Sequence, residues 1–237
     1  MPWVAGVDGC RAGWIVVLLA LPEASSAAPP DLRLCPTFDT VLTVTPTPTV
    51  IAVDMPIGLL DTPQAGGRTC DRQARQLLGR RASSVFSPSC RACLEATQYV
   101  EVRGYGMSRQ AFGILPKIRQ VDRLMAPALQ QRVYEAHPEL AFMALAGHPM
   151  QHNKKTAAGR QERLQALRQA PEEWWQAAEA TLASAREIFT RTQVASDDVL
   201  DAYVLARTAY RIASGQARCL PVAPPVDSHG LRMEIWY

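Results

Sequence analysis

A chain of 237 residues, 48% hydrophobic and 20% charged, can bury a sizeable core and is not a disordered polymer. No apolar run approaches the roughly 20 residues that span a bilayer, which excludes a helical membrane protein. The net charge of +3 is unevenly spread: residues 66–132 carry 12 Lys and Arg against 4 Asp and Glu, and residues 171–201 carry 2 against 7. A basic middle facing an acidic C-terminal part suits a phosphate-bearing ligand over a carboxylate centre, although solvated helix faces give the same balance.

Trp3 to Asp8 and Trp14 to Leu21 read as paired strands around a turn at Gly9 and Gly13. Leu32 to Cys35 is a third strand, after a Pro/Ala/Ser-rich loop. Gly13 to Leu21 with that loop imitates a signal peptide, but Asp8 lies in the would-be leader and only Arg11 precedes it as a basic residue. The expectation is a cytoplasmic protein. Phe38 to Val44 forms a short helix, ended by the Thr/Pro tract 45–49. Val50 to Asp54 is apolar until its last residue, the pattern of a central strand covered on both faces.

Arg68 to Arg81 has helical character and Ser83 to Gly106 shows little periodicity, so residues of about 60–107 read as a helical and irregular insertion. Ser108 caps a helix that kinks at Pro116 and runs to about Met125. A short strand covers Arg132 to Ala136, and a helix spans Gly159 to Gln169 after the polar Lys154-Lys155-Thr156 loop. A longer helix runs from Pro171 to Thr192, with Pro in its first turn beside Glu172 and Glu173. Ser196 caps a helix to about Ser214, and Leu231 to Tyr237 is an apolar closing strand. Hairpin strands followed by alternating helices predict one α/β domain over 1–237, a mixed sheet of five or more strands flanked by helices.

The candidate chemistry lies in acids at the ends of apolar runs: Asp8, Asp54 and Glu135, joined by Asp197-Asp198-x-x-Asp201. From its own stretch alone, Asp8 reads as a turn former. Capping explains Asp197 and Asp198, which follow Ser196 where the helix dipole favours acids. It does not explain Asp201, a turn further into a mostly apolar helix, where an unpartnered carboxylate is costly. Carboxylates brought together repel unless a cation is bound, and hard oxygen ligands suit magnesium or manganese. Asp8, Asp54, Asp198 and Asp201 are therefore candidate metal ligands, and these with Glu135 are candidate catalytic acids for two-metal phosphodiester hydrolysis.

Arg11, Arg75, Lys117, Lys154 and Lys155 are candidate phosphate contacts, Arg for bidentate and Lys for point-charge contact. The adjacent lysine pair stands out in a chain with only three lysines. His137, before Pro138, is a possible acid or base or a structural residue of a strand-to-helix turn. Trp174, Trp175 and Trp236 suit stacking or, more plainly, hydrophobic anchoring. The Cys90-x-x-Cys93 pair has no second pair, which points to thiols or an incidental disulfide rather than zinc.

Several motifs together carry a resemblance: Asp8-Gly9-Cys10-Arg11-x-Gly13-Trp14, Asp54-Met55-Pro56-Ile57-Gly58, Ser83-Ser84-Val85-Phe86, Ile114 to Ile118, Glu135-x-His137-Pro138-Glu139, Lys154-Lys155-Thr156, Asp197-Asp198-x-x-Asp201-Ala202 and Gly230 to Tyr237. In these the chain resembles the domain-of-unknown-function 429 family, with Ala12 where that family typically carries Gly. The resemblance implies a ribonuclease H-like fold and a nuclease activity, with Asp8 the central ligand, Asp54 a second, and Asp198 or Asp201 the last. It implies nucleic acid or another phosphodiester as substrate. A non-catalytic module binding nucleic acid, nucleotide or protein on the same fold is the alternative, and a sugar-kinase-like use of the hairpin lacks a second phosphate loop. The apolar closing strand and the Trp-rich helix leave room for a homodimer.

Overall fold

The N-terminal apolar runs zip into a meander. Strand β1 (Trp3–Cys10) pairs antiparallel with β2 (Gly13–Ala20), and β2 with β3 (Asp31–Cys35). The first reversal needs Gly13, at φ +138°, because a Cβ there would stand 2.2 Å from the Cys35 carbonyl oxygen. This computed structural model describes residues 2–21, 30–170 and 172–237. Most of the Pro/Ala/Ser-rich loop and the expected first-turn Pro171 lie outside the described residues, as do the side chains of Glu172 and Glu173.

After α1 (Phe38–Leu42), β4 (Pro48–Val53) lies parallel on the other side of β1, and β5 (Val133–Glu135) parallel to β4. The strand order is β3-β2-β1-β4-β5 with only β2 reversed. That is the ribonuclease H-like sheet. Between β4 and β5 run α2 (Thr69–Leu78), α3 (Tyr99–Val102) and α4 (Arg109–Leu124). Ser108 caps α4 by accepting the Ala111 N–H, and Pro116 sits inside it. After β5 come α5 (Pro138–Ala146), α6 (Ala157–Arg168), α7 (Glu172–Ile188) and α8 (Ser196–Ala213).

The strand pleat sorts side chains between two cores. Val4, Val50 and Ala52 face α8, whereas Ala5, Val7, Ile51 and Val53 face α1 and α4. On the first face Gly6 has no side chain, and the α8 backbone fills the gap: a Cβ on Gly6 would lie 2.0 Å from the Ala202 carbonyl and the Ala206 amide. Helix α8 is consequently buried almost without break from Val199 to Ala209. Among the described residues, no helix is long and apolar enough to cross a membrane.

Two expectations are corrected here. The closing strand shrinks to β7 (Ile235–Trp236), paired with β6 (Cys219–Leu220), because side chains take the amides before it. The Leu231 N–H donates to Asp227 and the Arg232 N–H to Gln130. The basic middle, in turn, is partly committed to contacts within the protein. Arg91 pairs with Asp122 at 2.7 Å and with Asp227, Arg119 donates to the Leu94 and Ala96 carbonyls, and Arg75 to those of Val85 and Gly66. Arg91 and Arg119 tie the aperiodic segment to α4 and to the C-terminal loop.

Arg68 is the most buried of them, 2% exposed, and forks between Asp71 at 2.7 Å and Glu135 at 2.5 Å while donating to the Ile57 and Gly58 carbonyls. Removing it strands two buried carboxylates. Arg68→Met is expected to cost about 3–5 kcal/mol of stability by urea denaturation, and a loss below about 1 kcal/mol would contradict this account.

Candidate active site

Parallel pairing aligns Val7 with Val53, so the next residues, Asp8 and Asp54, stand side by side at the ends of neighbouring strands, with the Asp54 N–H donating to the Val7 carbonyl. Asp201 joins them because Gly6 lets α8 lie directly on β1. Asp8, Asp54 and Asp201 then form the floor of a cleft of about 470 Å³. Its walls come from the Arg81–Phe86 turn, the first half of α4, the start of α5 and the Asn153–Lys155 loop.

The floor is electrostatically loaded. Burial raises the Asp8 carboxyl well above the usual carboxylate range, and the negative charges of Asp54 and Asp201 raise it further. Asp54 is raised by burial and held down by His137 and Lys154. Burial pushes Asp201 up to about 6 against the pull of Lys154. The Lys154 ammonium lies 2.5 Å from Asp201 and 4.0 Å from Asp197. Burial works against its charge, but Asp201 and Asp8 prevail and hold it well above the ordinary lysine value.

The other expected residues divide. Lys117 and Lys155 line the cleft. Lys117 sits over the Trp14 ring, 4.6 Å from its centroid, and donates to the Gly13 carbonyl, and burial lowers its pKa. Asp198 accepts the Ala195 N–H at 2.9 Å and so serves as a helix cap beside the site. Arg11 is exposed in the hairpin turn and, like Arg75, does not line the cleft.

Glu135 is a correction. It pairs in register with Val53, and its side chain shares the face of Val53 and Val133, away from that of α8. Its carboxylate is taken by Arg68 and the Ile57 N–H. His137 borders the cleft, but its Nδ1 accepts the Glu139 N–H, which leaves Nε2 to donate to the Ser84 carbonyl. Both ring nitrogens are thus in use. The tryptophans are anchors: Trp174 packs edge-on against Tyr210, Trp175 under Arg168, and Trp236 against Tyr134. All six cysteines are free thiols, with Cys90 and Cys93 sulfurs 3.5 Å apart.

Sequence reading missed Arg81, whose guanidinium lines the cleft 3.1 Å from Glu139; Glu139, held also by buried Arg163, lines it beside His137. Glu139 had a signal, as the acid of the Glu-x-His-Pro-Glu motif. Arg81 had none beyond a run of arginines.

An oxygen-only, mutually repelling donor set at Asp8, Asp54 and Asp201 fits a hard divalent cation chemically. Among the described residues, however, no three acidic, His or Cys side chains stand in chelating geometry, and Lys154 supplies the counter-charge instead.

Fold and cleft together define a ribonuclease H-like protein with an acid floor between basic walls. The chain belongs to the family described as "Protein of unknown function (DUF429)", whose model matches residues 6–226. Among solved structures it is similar to Thermus thermophilus RuvC in complex with a Holliday junction substrate, with 14% identity, 91% of this chain and 98% of that chain covered, and a TM-score of 0.32. A second Thermus thermophilus RuvC structure gives 14% identity, 90% and 97% coverage and a TM-score of 0.31. Strand order and orientation, not this likeness, carry the fold. No curated protein matches the chain in sequence.

Proposed function

We propose that this protein is a divalent-metal-dependent phosphodiester hydrolase, a nuclease in the broad sense, with Asp8 and Asp54 as the principal holders of magnesium or manganese. The observation that supports this reading most is the packing of Asp8, Asp54 and Asp201 into one cleft floor despite their repulsion. A bound cation would supply Lewis-acid charge and an activated water there. Asp201 acts by fixing Lys154, so that one ammonium faces the same space as the metal-holding acids. Lys154 and Lys155 then neutralise phosphate oxygens, and Lys117 adds a third charge beside Gly9. His137 orients the α5 start rather than moving a proton.

One observation favours a non-catalytic binding module instead: the Lys154–Asp201 ion pair already balances part of the floor charge. Cleavage separates the two readings. Labelled DNA, RNA and small phosphodiesters, incubated with the protein and manganese or magnesium, are expected to be cut in at least one case, and EDTA to stop it. Cleavage that persists in EDTA, or none by a folded protein with either metal, would overturn the hydrolase reading.

A further inference from the structure

The cleft has a side that phosphate and metal chemistry leaves unexplained. Helix α4 turns one face to it, with Gln110, Ala111, Ile114 and Lys117 at i, i+1, i+4 and i+7. Lys117 marks the end near the acid floor, because its side chain passes against Gly9, where a Cβ would meet it at 2.8 Å. Gln110 lies seven residues earlier, about 10 Å up the helix axis. Along that wall the chemistry changes from a cation to an aliphatic surface to an amide. Phe86, half-buried, lines the same cleft.

We propose that the cleft takes one unstacked nucleotide unit, its phosphate over Asp8 and Asp54 and its base between Phe86 and Ile114 with Gln110 at the base edge. This rests on the hydrolase site above and narrows its substrate. An aromatic face suits any base by stacking, and an amide suits a base's donor and acceptor edge. The volume agrees: about 470 Å³ falls in the range of roughly 300–1,000 Å³ of small-ligand pockets. Duplex binding uses open surfaces of roughly 1,000–2,500 Å². Here Asp8 is 7% and Asp201 2% exposed and Asp54 is half-buried, so the carboxylates present little open surface to an uninterrupted duplex backbone. The shared ligand chemistry is an unpaired nucleotide, supplied either by a free nucleotide or by a single strand.

Calorimetry on the full chain with manganese tests this, using AMP, ribose 5-phosphate, a short oligothymidylate and a dumbbell duplex with closed ends. AMP is expected to bind at least tenfold more tightly than ribose 5-phosphate, a difference of about 1.4 kcal/mol. Phe86→Ala should remove that advantage while leaving ribose 5-phosphate affinity unchanged. Gln110→Ala, at an exposed position, should weaken AMP several-fold without loss of melting temperature, which guards against a Phe86 variant that misfolds. The oligothymidylate should displace AMP if strands are the source, and fail to do so if free nucleotides are. Equal affinity for AMP and ribose 5-phosphate, or displacement of AMP by the dumbbell, would overturn the proposal. Base-dependent binding without any cleavage would sink the hydrolase reading alone, whereas cutting confined to the closed duplex would sink this one alone.

Discussion

Asp8→Asn is expected to lower metal-dependent cleavage at least about 1,000-fold and, without metal, to make the protein more stable at neutral pH. The first effect follows from removing a charge that the bound cation needs, since several kcal/mol of transition-state stabilisation depend on it and each 1.36 kcal/mol is tenfold in rate. The second follows from burial and from the repulsion of Asp54 and Asp201, which raise the Asp8 carboxyl. A carboxyl whose pKa is raised on folding binds its proton more tightly in the folded state. Its favourable contribution is therefore complete below the unfolded value near 4 and is lost as pH rises through the folded value. Asp201, pushed up to about 6, adds to the same decline between about pH 4 and pH 6. An Asn side chain keeps an oxygen for the Gly9 N–H that Asp8 accepts at 2.7 Å. Denaturant titrations in EDTA should show Asn gaining on Asp more at pH 7.5 than at pH 4.5. A variant less stable than the parent at pH 7.5 would show that the charge serves structure.

Gly6→Ala is expected to destabilise the protein by at least about 3 kcal/mol, at or beyond the usual range for overpacking a core. The added Cβ would meet backbone atoms of Ala202 and Ala206 at 2.0 Å, and backbone in a buried helix cannot swing aside as a side-chain tip can. Against a typical total of roughly 5–15 kcal/mol, this is enough to lower the melting temperature sharply. Any fraction that folds must hold α8 further from β1, which separates Asp201 from Asp8. Manganese affinity should fall with stability, although Gly6 touches no ligand. Unchanged melting and metal affinity would mean that the close β1–α8 approach does not set the site.

Asp8 and Asp54 were legible because each ends an apolar run; either alone reads as a turn former, and the recurrence of the pattern is what singles them out. Asp201 was legible as a mid-helix acid among apolar neighbours. What brings the three together was not, since the Val7–Val53 register and the close packing on Gly6 are properties of paired elements. Glu135 shows the limit clearly: it too ends an apolar run, but the register of β5 on β4 turns it to the other face and into Arg68. Charge counting gave only part of the picture for a related reason. Composition gives the excess of arginines over residues 66–132 but not that Arg68, Arg91 and Arg119 have partners inside the fold. The closing strand failed because the amides of Leu231 and Arg232 found side-chain acceptors, which hydropathy does not register.

A hydrolytic role requires the acid floor to hold a divalent ion, and manganese binding followed by calorimetry on the parent chain and on Asp8→Asn tests that most directly. The parent should bind manganese saturably, in competition with magnesium, and melt at a higher temperature when loaded, while folded Asp8→Asn should lose both responses. Absence of saturable binding by the parent, or equal binding by Asp8→Asn, would contradict the claim and leave Lys154 as the only cation the floor requires.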